Sequence, residues 1–136
     1  IDILKSIESS INSKVIYCTN IDWTETMKIL QESKLLVVPS RQESLPQVIK
    51  EAFYLKVPVI ATDVGGISEL VKHNQTGILV PSQNPEKLKM AINDLLENLE
   101  LQEILKQNAY NFILEFFTWE KLLPKYTKFY NNLLND

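Results

Sequence analysis

The sequence predicts an α/β fold, a parallel sheet flanked by helices that gives way to a helical carboxyl-terminal segment. Three observations carry this reading. Apolar runs alternate with helical patterns as far as Val80, the rhythm of strands joined by helical crossovers. The longer runs, Leu35-Leu36-Val37-Val38 and Val57-Pro58-Val59-Ile60-Ala61, are continuous, as expected of strands covered on both faces. Beyond Pro81 every apolar periodicity is helical.

Taken in order, residues 3–12 carry a weak helical pattern (Leu4, Ile7, Ile11), and Lys14 to Cys18 is a short β-prone run. Thr24 to Ser33 reads as a helix capped by Thr24 or Asp22, with Met27 and Leu30 inward. Lys34 to Pro39 is a strand. Pro46 to Tyr54 is a helix with Val48, Ile49, Ala52 and Phe53 on one face. Val57 to Thr62 is a second buried strand, and a turn at Gly65-Gly66 leads to a short helix over Ile67 to Lys72. Thr76-Gly77 turns into a last strand, Ile78-Leu79-Val80.

Asn84-Pro85-Glu86 then supplies an N-cap, a proline at the first helical position and an acid in the first turn. That helix carries the stripe Leu88, Ala91, Ile92, Leu95 and Leu96. A second, Leu101 to Phe116, is expected to bury Ile104, Leu105, Phe112 and Phe116. A third, capped by Thr118, gathers Trp119, Leu122, Leu123, Tyr126, Phe129, Tyr130 and Leu133 on a broad face expected to be core. Pro124 inside it should kink it or delay its regular start. About four strands result, fewer than the five or six common in a doubly wound sheet. The sheet is therefore read as Rossmann-like and truncated on its amino-terminal side.

Composition narrows the function. The 136 residues suffice for one domain with a core, and 45% hydrophobic with 23% charged residues is ordinary for a soluble protein. Net charge is −3 and no basic stripe stands out, which argues against nucleic acid as a partner. The one cysteine, Cys18, excludes an internal disulfide and a cysteine-cluster metal site, and its apolar neighbours point to a buried thiol. One histidine, His73, sits in a polar turn and reads as a surface residue, which leaves a metal site without support. No apolar run approaches the ~20 residues of a membrane span, and a cytoplasmic setting is expected. Because the chain begins with Ile1, it is read as a piece of a longer protein.

The chemistry concentrates in Glu43-Ser44-Leu45-Pro46-Gln47-Val48-Ile49-Lys50-Glu51. Pro39-Ser40 ends a strand and Pro46 opens a helix, so the loop lies at the carboxyl edge of the sheet, where open α/β proteins bind ligands. The N–H groups of Gln47, Val48 and Ile49 should point out of the helix start with the positive end of its dipole behind them, a setting for a pyrophosphate. Pro46, at the first helical position, would organise that start without donating. Glu51 lies about 7.5 Å further along the helix, at ribose distance from such a group. Glu43 lies on the other side, where an attached hexose would sit. On spacing alone, two solvated acids near a helix start are the favoured reading, since such acids are common for stability.

The surrounding blocks add to this. Pro39-Ser40, Glu43-Ser44-Leu45-Pro46 through Glu51-Ala52, Val57 through Val71 with its Gly65-Gly66, and Thr76-Gly77-Ile78-Leu79-Val80-Pro81 resemble the carboxyl-terminal half of family 4 glycosyltransferases. The resemblance runs from about Val15 to Tyr130. It implies the GT-B fold, with residues 1–136 as one donor-binding domain whose amino-terminal acceptor domain is missing. It further implies a retaining transfer of a hexosyl group from a UDP- or GDP-linked nucleotide sugar to a glycan, lipid or small molecule, with no metal or other cofactor. Glu43 takes the catalytic position facing the donor sugar, and Glu51 binds the ribose. The backbone of Ser44, Leu45, Gln47 and Val48 meets sugar and phosphates. Many members carry glycine where this chain has Pro46, so one amide donor is lost. The Arg/Lys pair that neutralises the leaving pyrophosphate is also missing, and Arg41 does not stand in its place. The chain by itself is thus expected to bind a nucleotide weakly and transfer nothing, and peripheral membrane association is left to the absent half. The resemblance also implies a last helix that crosses back to the partner domain, so that part of its aromatic face would be exposed in this chain.

Three other readings compete. A non-catalytic module that holds a nucleotide or partner has the same fold, whereas an epimerase is not expected to carry these blocks. A phosphoacceptor receiver needs an acidic cluster that Asp63 alone does not supply. Gly65-Gly66 is read as a tight turn, Glu69 as a helix-start acid, and Tyr17-Cys18-Thr19-Asn20 as a strand end within backbone reach of a base.

Overall fold

The computed structural model describes residues 15–134. The helical pattern expected at residues 3–12 lies outside them. The core strand is β2 (Val59–Thr62), buried along its whole length. It pairs in parallel with β1 (Leu36–Val38), Leu36 opposite Val59 and Val38 opposite Ala61, and with β3 (Ile78–Val80), Ile60 opposite Ile78 and Thr62 opposite Val80. The sheet order among the described residues is β1-β2-β3. The alternation of β2 distributes the core. Val59 and Ala61 join Leu30, Val38, Ile49, Ala52, Phe53, Ile67 and Leu70 on one face, while Ile60 meets Ile78, Val80, Leu95 and Leu105 on the other.

Helix α1 (Trp23–Glu32) is capped by Asp22, whose carboxylate accepts from the Glu25 N–H at 2.8 Å. Helix α2 (Gln47–Tyr54) buries Ile49, Ala52 and Phe53 against the sheet. The short α3 (Ile67–Leu70) follows β2. Helix α4 (Pro85–Glu97) starts at Asn84, whose side chain accepts from the Lys87 N–H at 3.0 Å, with Pro85 and Glu86 where the sequence puts them. Helices α5 (Leu99–Phe116) and α6 (Trp119–Leu134) complete the chain, and α6 runs through Pro124.

Several expectations are corrected. Val15 to Cys18 is not a strand, and Ile16, Tyr17 and Cys18 are exposed, so three strands rather than four are described. β-propensity expresses a fit to a paired, half-buried surface, and three of these four residues stand exposed. On α4 only Leu95 is fully buried and Leu96 is exposed.

The inward face of α5 is Gln102, Leu105, Ala109 and Ile113, with Ile104 and Phe116 exposed. The expected burial of Leu105 holds, while a stripe drawn through the large apolar residues passed over Gln102, Ala109 and Ile113. Gln102 offsets its burial by donating from Nε2 to the Leu95 carbonyl at 2.7 Å, near the end of α4. Apart from half-buried Leu122, the α6 face is exposed rather than core. Trp119 is 73% exposed, and Tyr126, Phe129, Tyr130 and Leu133 are exposed with it.

Phe53 is fully buried where α2 meets the sheet. Truncation to alanine should cost about 3–5 kcal/mol in urea unfolding, by lost transfer energy and the cavity left behind. A change below about 1 kcal/mol would place Phe53 outside the core.

Candidate functional site

Parallel pairing puts the segments after β1 and β2 at the same edge of the sheet. There the two are pressed together backbone to backbone. A Cβ on Gly65 would stand 1.7 Å from the Glu43 carbonyl oxygen, and one on Gly66 would stand 2.1 Å from that of Ser44. Gly65 also has φ +52, the left-handed conformation expected of a turn glycine. Gly66, at φ −84, has no such need, and its role is to admit the Glu43–Ser44 loop. Thr62 adds a second tie, its hydroxyl donating to the Ser40 carbonyl at 2.6 Å. The loop bearing Glu43 is thereby held against the end of β2.

Pro46 is buried at the N-cap of α2, with ψ 124, instead of occupying the first helical position. The Ile49 N–H, expected to be free, donates to the Pro46 carbonyl at 3.3 Å. The Gln47 and Val48 N–H groups donate to no acceptor among the described residues and open the helix as predicted. Leu45 is half-buried and packs on the core. Ser44 departs from expectation, because its N–H is already engaged by the Glu43 carboxylate, Oε1 accepting at 3.1 Å.

The two acids are treated differently. Glu43 folds back on its own loop. Glu51 accepts at Oε1 from the Trp23 indole Nε1–H at 3.0 Å and lines a cavity of about 500 Å³ with Trp23, Met27, Tyr54, Phe117 and Trp119. Trp23, 28 residues distant in sequence, was missed, and no local pattern ties it to Glu51. At the cavity's rim Glu120 is held below the usual carboxylate range, first by its own backbone N–H and then by the Thr118 hydroxyl. A cavity of about 520 Å³ between β3 and α4, lined by His73, Met90 and Asp94, includes neither Glu43 nor Glu51. His73 is exposed there and structural, its Nδ1 accepting from the Leu79 N–H at 3.1 Å. Glu69 lies in the first turn of α3, as expected of a helix-start acid.

Residues 4–112 match the family model described as glycosyl transferases group 1. The chain belongs to that family. Among its relatives, the uncharacterized glycosyltransferase MJ1178 of Methanocaldococcus jannaschii is 38% identical over 109 residues, which is 80% of this chain and 31% of the relative. The N-acetyl-alpha-D-glucosaminyl L-malate synthase of Bacillus anthracis is 32% identical over 109 residues, 80% of this chain and 29% of the synthase. In structure, sucrose-phosphate synthase from Thermosynechococcus elongatus superposes with a TM-score of 0.88 at 27% identity, covering 98% of this chain and 34% of that one. The group 1 chain thus spans about a third of the length of these relatives. It has the α/β architecture of GT-B glycosyltransferases, with a parallel sheet, flanking helices and a helical end.

Gly66→Ala tests the packing of the loop. Although its φ suits any residue, the added methyl meets backbone that cannot swing aside, so a loss of about 1–3 kcal/mol or more is expected on chemical denaturation. Full stability would mean that the two loops are not in contact.

Proposed function

We propose that this group 1 chain is the carboxyl-terminal, donor-binding domain of a retaining family 4 glycosyltransferase. The observation that carries the reading is the mouth of α2. Two N–H groups that meet no acceptor among the described residues, those of Gln47 and Val48, start the helix that carries Glu51 and follow directly on the loop that carries Glu43. Helix N–H groups and the dipole behind them suit the diphosphate of a nucleotide sugar. Glu51 then accepts from the ribose hydroxyls, and Glu43 turns from Ser44 to the donor sugar, freeing the Ser44 amide for sugar or phosphate. Leu45 shapes the floor between them.

A structure of a mutant of S. aureus TarM, in complex with UDP among other ligands, is 26% identical to this chain with a TM-score of 0.78, covering 96% of this chain and 27% of that one. Its nucleotide supports the same class of ligand here. A UDP- or GDP-linked hexose is the proposed donor, the helix start neutralises the leaving diphosphate, and no metal is assigned a role. The acceptor (glycan, lipid or small molecule) would be brought by an amino-terminal domain of the same protein, in the cytoplasm or at a membrane face. Among the described residues no helix is long and apolar enough to cross a membrane.

Titration of the chain with UDP and GDP, followed by amide resonances, should shift Gln47, Val48 and Glu51. Glu51→Ala should weaken binding roughly tenfold to a hundredfold, the worth of hydrogen bonds to a charged acceptor. No nucleotide response would favour a module that holds a protein partner. Glycosyl transfer by the chain alone, measured as UDP release with acceptor present, is expected to be nil. Turnover would show that it needs no second domain.

A further inference from the structure

The indole of Trp23 is a polar partner of Glu51 that no pattern in the sequence announced. Trp23 opens α1, and its backbone is set by Asp22, which caps that helix through Glu25 and accepts the Thr26 hydroxyl at 2.9 Å. The ring stands 67% exposed at the rim of the cavity that Glu51 lines. No lysine or arginine among the described residues pairs with Glu51; the ion pair found among them is Lys106 with Glu103. Lys50, next in sequence, lies with its ammonium 5.6 Å from the Phe117 ring centre. What orients the Glu51 carboxylate is therefore a neutral donor from a different helix.

We propose that Trp23 is a positioning residue for Glu51. Its N–H occupies one lone pair of Oε1 and leaves Oε2, together with the second lone pair of Oε1, with acceptor capacity for a ligand. A long glutamate side chain otherwise samples several rotamers, and each must be given up when a ligand binds. Holding the carboxylate beforehand favours a ligand with two adjacent hydroxyls, which need both oxygens in a defined plane. A neutral donor suits this task, because it leaves the negative charge unneutralised for those hydroxyls. The inference rests on the nucleotide reading of Glu51 and deepens it.

The test is a double-mutant cycle of Trp23→Phe and Glu51→Ala, with UDP binding measured by calorimetry. Phenylalanine keeps an aromatic ring and removes the donor. In the native background Trp23→Phe should weaken UDP roughly threefold to tenfold, the range of one hydrogen bond. In the Glu51→Ala background, or with 2′,3′-dideoxy-UDP as ligand, it should change nothing. A second measurement needs no ligand: the Trp23 indole N–H resonance, identified by its loss in Trp23→Phe, should move when Glu51 becomes alanine.

Equal weakening in both backgrounds would make Trp23 a direct ligand contact or a fold residue and would overturn the proposal. Tighter binding by Trp23→Phe would overturn it too, by showing that the indole blocks the carboxylate. An unmoved indole resonance would refute the hydrogen bond itself. Failure of the native chain to bind UDP or GDP would remove the nucleotide reading and, with it, this role for Trp23; binding unaffected by Trp23→Phe would remove only the latter.

Discussion

The contact between Gly65-Gly66 and the Glu43–Ser44 backbone is the constraint on which the site depends. Two main-chain segments meet there with no room for a side chain between them. Such an approach is available only to glycine, and it converts a loop between β1 and α2 into a fixed extension of the sheet edge. Thr62 reinforces it from the last position of β2 by donating to Ser40. A loop tied at its entrance and its middle leaves little freedom for the helix it feeds, so the direction of α2 and the placement of its first N–H groups follow.

The buried sheet supplies the other half of this arrangement. Because β2 is covered on both faces, its end and the following turn cannot shift without disturbing two hydrophobic clusters. Ile49, Ala52 and Phe53 anchor α2 to one of those clusters while Gln47 stays exposed and Glu51 half-exposed. Core packing and site geometry therefore use different faces of one short helix. The link from α1 to Glu51 through Trp23 then adds lateral definition that the sheet does not provide.

The aromatic face of α6 shows the same physics in reverse. Its pattern of Trp119, Leu123, Tyr126, Phe129, Tyr130 and Leu133 has the helical period of a buried stripe, yet these residues stand exposed. Periodicity reports that a helix has an apolar side, not what lies against it. The same distinction explains Cys18, whose apolar neighbours suggested burial in a strand that the described residues do not form.

The amino-acid order alone determined the α/β class, the cap at Asn84, and the strand–loop–helix sequence that carries Glu43 and Glu51 at a carboxyl edge, while it left the first helix with either Asp22 or Thr24 as its cap. These are local quantities, set by turn chemistry, capping and continuous apolar runs. Its spaced blocks also pointed to the GT-B glycosyltransferases, in agreement with the group 1 match. Tertiary structure decided what depends on residues far apart in the chain. Gln102 can be inward because the Leu95 carbonyl, distant from it by seven residues, accepts from its side-chain amide, and Gly66 is required because Ser44 lies against it. Glu51 is oriented because an indole 28 residues away reaches its carboxylate. Contacts of that kind depend on the three-dimensional path of the chain, and a one-dimensional pattern contains no distance from which to read them.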